Sequence, residues 1–454
     1  MTTITQNAEK SKELGKSLQR FCKSFGLHKL LGRYGAKKVR GVPYTEIFDF
    51  LMSLVFSGKN LFQSIQTGSA DVSKDCVYRF LNNAKIHWEN ILMTLSMAVI
   101  SRVRKLTSVE RLTAIVVDDS PYSRGRSRKV ELLSKFHDHV SHKFFMGFQM
   151  LTLGFTDGVS FIPFAMQLMA SDKTENPADL FDCRTIAARR RKNATKSKLD
   201  VLYSLLKAAK SKCIPAKHVL FDSWFSHPVT LITIKNIGFF CVAMLKKSKT
   251  GYTYNGEKLT ITQIFKSIKK RPGKSKYLAS VTVTVTHKDT DKIALAKIVY
   301  VRDKKNKKKW CAIISTDISL SEEEIIQLYG KRWDIEVFFK MCKSYLKLAK
   351  EFEGRSYDMM TAHTTIVFIR YICLAWQKRE NQDERCFGEL FFFLCDELED
   401  ISFANALEIL LIALTQTLFD ALFLDDSQVA FLLDSFFEKL PAVYVNCLVS
   451  KCES

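Results

Sequence analysis

Closely spaced cysteines are missing from this chain. None of its twelve cysteines lies within four residues of another, which leaves no CxxC pair for structural zinc or dithiol redox chemistry. At 454 residues the chain has no need of a disulfide scaffold, so reduced thiols are expected. An apolar run of bilayer length is also missing. The two most apolar stretches, TTIVFIRYICLAW and LEILLIALTQTLFDALFL, are cut by Arg370, Glu408 and Asp420, whereas a spanning helix needs about 20 residues almost free of charge. No charged-then-apolar leader opens the sequence, and internal repeats and long low-complexity linkers are lacking. These absences lead us to expect a soluble, cytoplasmic, globular protein of about two to four domains.

Acidic residues are in short supply over most of the chain. The 69 Lys and Arg against 47 Asp and Glu give a net charge of +22. Residues 381–454 carry a net −11, so residues 1–380 carry +33. That split predicts a nucleic-acid-binding body with an acidic helical tail.

Residues 1–108 lack strand alternation and are expected to form a helical, DNA-binding domain. Within VSKDCVYRFLNNAKIHWENIL, Ser73 suits an N-cap and Val72 can staple onto Val77. The helix that follows carries Lys74, Tyr78, Arg79 and Asn82, and Lys74 and Arg79 are candidate DNA contacts.

The pattern changes near residue 112. LTAIVV is a short β-branched run that is expected to stop at Asp118, Asp119 and Ser120. FFMGFQMLTLGF and VSFIPFAMQLMA read as strands joined by a hairpin at Asp157-Gly158. The basic segment RTIAARRRKNATKSK, with Arg190 and Arg191, is a candidate backbone grip for DNA, as is KKNKKK at 304–309. KHVLFDSWFS then repeats the pattern of a short strand ending in an acid, Asp222. From 247 to 309 the chain is alternating, β-rich and basic, which suggests an insertion before the strand CAIIST. Ser321 and Glu324 form a capping box, and from residue 355 onward the reading is helical.

The segment YGKRWDIEVFFKMCK, read as one helix at about 100° per residue, puts Tyr329, Arg332, Glu336 and Lys343 on a polar stripe about 60° wide. Asp118 and Asp222 at neighbouring strand ends, with Glu336 on a helix packed over them, would converge as three carboxylates. Such a cluster calls for Mg²⁺ or Mn²⁺, and two ions could support phosphoryl displacement. Taken singly, each aspartate could equally cap a following turn. The stripe's Arg332, Lys343 and Tyr329, with Lys340 nearby, would grip phosphate.

The spacing Y-x2-R-x3-E-x6-K, met by Tyr329, Arg332, Glu336 and Lys343, resembles the signature of DDE transposases of the bacterial insertion-sequence-4 family. RWDIEVFFK, LFDSWF and VVDDS look similar as well, and the resemblance runs from about 112 to 376. It implies an α/β, RNase H-like core in two parts, 109–246 and 310–376, around the β-rich insertion 247–309. Helical regions at 1–108 and 377–454 would flank that core. It also implies Asp118, Asp222 and Glu336 as catalytic, metal-binding acids. Asp118 is favoured over Asp119 because it stands two residues before Ser120. Tyr329, Arg332 and Lys343 would contact phosphates, and Trp310 matches by position a tryptophan that holds a flipped base.

The activity implied is cut-and-paste DNA transposition through a DNA hairpin, by a homodimer acting on terminal repeats and target DNA in the bacterial cytoplasm. The rivals are a non-catalytic DNA-binding descendant and a nuclease or resolvase on the same fold. HDHVSH, with His137, His139 and His142, fits a zinc site poorly, since neither helix nor strand aligns all three.

Overall fold

The computed structural model describes residues 18–380 apart from short segments at 38–39, 59, 67–71, 126–128, 139–141, 273–274, 289 and 303–308. The acidic tail beyond 380, His139 and Lys304–Lys308 of the basic run therefore lie outside the described residues. The described chain divides into two compact units, one comprising 18–22 and 48–66 and the other 23–47 and 72–380. In the smaller unit a helical segment buries Phe48, Leu51, Met52, Val55 and Phe56.

The larger unit is a mixed α/β structure around one sheet. Its strands are β1 (Ala114–Ser123), β2 (Ser134–Asp138), β3 (Lys143–Thr156), β4 (Phe161–Met169), β5 (His218–Phe221), β6 (Phe240–Leu245), β7 (Gly251–Tyr254), β8 (Glu257–Thr260), β9 (Ala279–Thr286), β10 (Ile293–Arg302) and β11 (Trp310–Ser315). Their order is β2-β3-β1-β5-β6-β11-β10-β9-β7-β8, with β4 also paired to β3. The parallel pairs β1–β5 and β5–β6 form its centre, and every neighbouring pair beyond them is antiparallel. Central strands buried on both faces need continuous apolar runs, which AIVV and HVLF supply. The basic 247–309 segment is β-rich and lengthens this same sheet through β10 and β11.

The β3–β4 hairpin forms at Asp157-Gly158 as the sequence suggests. Asp157 Oδ1 accepts from the Val159 and Ser160 amides at 2.9 and 2.7 Å, and Gly158 takes φ 85°. β1 does not stop at Asp118. It continues to Ser123 because β3 supplies a partner for every residue as far as Gly147. A Cβ at Gly147 would collide with the Tyr122 carbonyl, so glycine there lets the two strands close up.

The helix Lys198–Ser211 packs against β3 and β4, and Trp333–Ser344 packs against β1 and β4. Asp119 pairs with Lys198 of the first helix and Asp118 with Arg332, the cap of the second, as strand alternation requires. Tyr357–Glu380 packs beside Trp333–Ser344. Among the described residues it is the one helix long and apolar enough to cross a membrane, and its apolar stretch is buried within the protein.

Two further readings of the sequence need correction. Residues 329–343 are not one helix. Glu322–Gly330, capped by the Ser321–Glu324 box, ends in a tight turn before Trp333–Ser344 begins. In that turn the Lys331 and Arg332 amides bond back three residues, at 3.1 and 3.0 Å. The Lys331 ammonium pins the turn to the carbonyls of Leu112 and Asp157. Tyr329 is thus on one helix and Glu336 and Lys343 on the next.

Arg190 and Arg191 do not form a DNA grip either. They lie on the helix Ile186–Ala194 with each residue 2% exposed. Arg190 binds both oxygens of Glu89, at 2.5 and 2.9 Å, and shares Asp358 with Arg191, which also pairs with Glu131. A buried guanidinium saturated by carboxylates has no donor left for phosphate, and these charges hold helices together instead.

Candidate active site

The site grows from the parallel pairing of β1 and β5. Ala114 stands against His218, and Val116 against Leu220. The same register carried two residues further sets Asp118 opposite Asp222, just past the end of β5. Glu336 enters from the first turn of the helix packed over β1. Asp222 also serves the bland role open to it, since Oδ1 accepts from the Trp224 amide at 3.0 Å. One oxygen of Asp118 accepts from the next residue's amide at 2.8 Å.

Arg332 ties the acids together. Its Nη1 donates to Asp118 Oδ2 at 3.0 Å and to Glu336 Oε1 at 3.3 Å. Burial pushes the Asp118 carboxyl up to about 7. Glu336 and Asp222 push the same way, and the Arg332 guanidinium pulls against them. Asp222 is raised by burial, with the Trp224 amide and Arg332 opposing. Asp118, Asp222 and Glu336 together offer an all-oxygen donor set of the kind that suits a hard divalent cation.

The remaining stripe residues stand close by. Burial pushes the Tyr329 phenol up to about 12, so it stays a neutral hydrogen-bond donor. The Lys343 ammonium donates to Ser120 Oγ at 2.6 Å, and burial lowers its pKa from the ordinary lysine value. Lys340 is exposed on the same helix. Trp310, half-buried at the start of β11, is packed by Phe265 at 4.6 Å and Tyr300 at 5.3 Å, with the Lys247 ammonium 3.9 Å from its ring.

Lys74 and Arg79 are exposed on the helix Lys74–Leu81, where Ser73 Oγ accepts the Cys76 amide as a cap should. That helix packs Tyr78 edge-on against Phe352. The rings of His137 and His142 are 6.3 Å apart on β2 and at the start of the β3 arm.

Sequence reasoning missed Lys198 and passed over Trp224. Lys198 opens the helix Lys198–Ser211, pairs with Asp119 and lies 4.2 Å from the centre of the Trp224 ring. No local motif reveals that contact, because 79 residues separate Lys198 from Asp119. Trp224 stood in plain view in LFDSWF.

No curated protein matches the chain significantly. Two family profiles do match. One, described as DDE superfamily endonuclease, covers residues 47–243, and the other, described as transposase DDE domain, covers residues 186–373. The first contains Asp118 and Asp222, the second Asp222 and Glu336. Proteins with such domains act on DNA as nuclease-type enzymes and generally depend on divalent metal ions. The mixed sheet with helices on both faces agrees with the RNase H-like form of this domain. The chain carries a DDE-superfamily transposase/endonuclease domain.

Proposed function

We propose that the protein is a DNA transposase of the insertion-sequence-4 type. It binds the ends of its element, cuts them and joins the freed 3′-hydroxyl to DNA, with a hairpin as intermediate. The observation that carries this reading is the convergence of Asp118 and Glu336 on Arg332, with Asp222 in register beside them.

Asp118, Asp222 and Glu336 would hold the metal, Mg²⁺ or Mn²⁺, in a two-ion site. Bound there, the ions supply the activation of a water or 3′-hydroxyl and the stabilisation of the leaving oxygen. The rest falls to side chains. Arg332, with its charge fixed by the acids around it, is placed to turn from carboxylate to phosphate, where a planar fork binds two oxygens. Lys343 and Tyr329 add donors to the scissile strand, and exposed Lys340 extends the contact along the backbone. Trp310 takes an extruded base, and Lys74 and Arg79 contact DNA further from the cut. Two copies acting on paired ends complete the reaction in a bacterial cytoplasm.

The test is cleavage of plasmid DNA carrying the element's own ends, in Mg²⁺ or Mn²⁺, by wild type, Asp222→Ala and Glu336→Ala. Metal-dependent cuts at the ends should vanish in both variants while DNA binding remains. Normal cutting by Glu336→Ala would sink the assignment. A second reading, a DNA-binding protein without catalysis, draws on the same ion pairs, because Arg332 already neutralises two of the acids. Binding without cutting in either metal would favour it, and nicks without strand-transfer products would indicate a nuclease.

A further inference from the structure

We infer that Trp224 and Lys198 form a seat for a nucleobase of the strand that enters the acidic site. The inference rests on the DNA reading above but names a subsite that the three acids and the signature residues do not include. Trp224 is 48% exposed, although its neighbour Phe225 is buried. A single exposed apolar residue is ordinary on a protein surface. This one, however, is held on several sides. Its backbone amide donates to Asp222 Oδ1 at 3.0 Å, which fixes the main chain from which the indole projects, two residues from a candidate metal ligand. Phe225 meets the ring edge-on, with centroids 4.7 Å apart and planes at 77°. Lys198 lies 4.2 Å from the ring centre and is itself anchored by Asp119. An indole braced this way gives up little freedom on binding, which is the condition for an efficient stacking surface.

The chemistry selects the occupant. The open part of the indole favours a flat aromatic partner, and the ammonium beside it favours an anion. A nucleotide carries both, with its base on the π-face and its phosphate toward the lysine. Stacking of this kind tolerates any base, so the seat positions the strand and does not read its sequence. Trp310 repeats the pairing of tryptophan with lysine through Lys247, but Phe265 and Tyr300 pack its ring, whereas Trp224 is about half open. Asp119 thereby gains a role of its own. It pairs with Lys198 and holds the ammonium over the indole.

The test uses full-length protein carrying Glu336→Ala, so that DNA is bound without being cut. Two labelled strands of about a dozen nucleotides serve as probes, oligothymidylate and an abasic strand with the same phosphates. The parent should bind thymidylate at least about fivefold more tightly than the abasic strand. Trp224→Leu, which keeps apolar volume without a π-face, should remove most of that preference and leave only what Trp310 supplies, while Trp224→Phe should retain most of it. Lys198→Gln should weaken both strands alike. A preference unchanged in Trp224→Leu, or absent from the parent, overturns the seat. Because the comparison reads binding alone, a failure to cut DNA in the plasmid assay leaves its outcome intact.

Discussion

The Arg332 guanidinium donates through one nitrogen to both Asp118, at 3.0 Å, and Glu336, at 3.3 Å. A cation therefore lies between two carboxylates, one of which, Asp118, is driven toward protonation by burial and by the neighbouring acids. The guanidinium offsets part of the cost of ionising Asp118 in this buried place.

Removing that cation should cost both acids and substrate. Arg332→Ala is expected to lower the single-turnover cleavage rate by about 10²-fold or more, the scale set by losing one charged donor at a transition state. Arg332→Lys should recover only part of it, since an ammonium cannot bridge two oxygens as a fork does. Equal rates for wild type and Arg332→Ala would remove this residue from the chemistry.

Metal affinity should depend on pH through Asp118. Its carboxyl is raised to about 7, so below that pH a cation must displace a proton, and above it the carboxylate is already free. Mg²⁺ or Mn²⁺ affinity is expected to fall as pH drops through about 7. Calorimetry in buffers of different ionisation enthalpy should detect more protons released per metal at pH 6 than at pH 8, and Asp118→Asn should eliminate the difference.

Arg190 should prove structural. Arg190→Ala leaves Asp358 and Glu89 short of a partner in the interior and should destabilise the fold by about 3–5 kcal/mol in urea titration. The salt dependence of DNA binding by the folded variant should match wild type, whereas loss of a phosphate contact reduces that slope by about one.

His363 should make the fold sensitive to acid. Burial first, and the Arg370 charge second, pull its pKa down to about 3, against about 6.5 in an unfolded chain. Between those values the unfolded state binds a proton that the folded state refuses. Stability is therefore complete above about 6.5 and is lost as pH falls toward 3, by about 1.4 kcal/mol per pH unit for this one group. His363→Leu should flatten that dependence in urea midpoints measured from pH 7 to pH 4. An unchanged slope would show that other groups govern acid unfolding.

Much of the candidate site could be read from the chain because its parts announce themselves locally. The strand ending at Asp222, the Asp157-Gly158 hairpin and the Ser321–Glu324 cap each depend on residues within a few positions of one another. The errors arose where distant partners decide. β1 overran Asp118 because β3 paired with it, and the stripe helix broke where Lys331 reached Leu112 and Asp157. A dense basic run turned inward because Glu89, Glu131 and Asp358 were waiting to neutralise it.

The sequence by itself determined that this chain has short apolar strands followed by acids, a strongly basic body and a Y-x2-R-x3-E-x6-K spacing, since all of these follow from composition and local periodicity. Only the tertiary structure decided that Asp118 faces Arg332 while Asp119 turns to Lys198, and that Trp224 stands half open beside Asp222. The reason is geometric. Alternation along a strand sends neighbouring side chains to opposite faces, but which helix waits on each face is settled by packing between residues far apart in the chain.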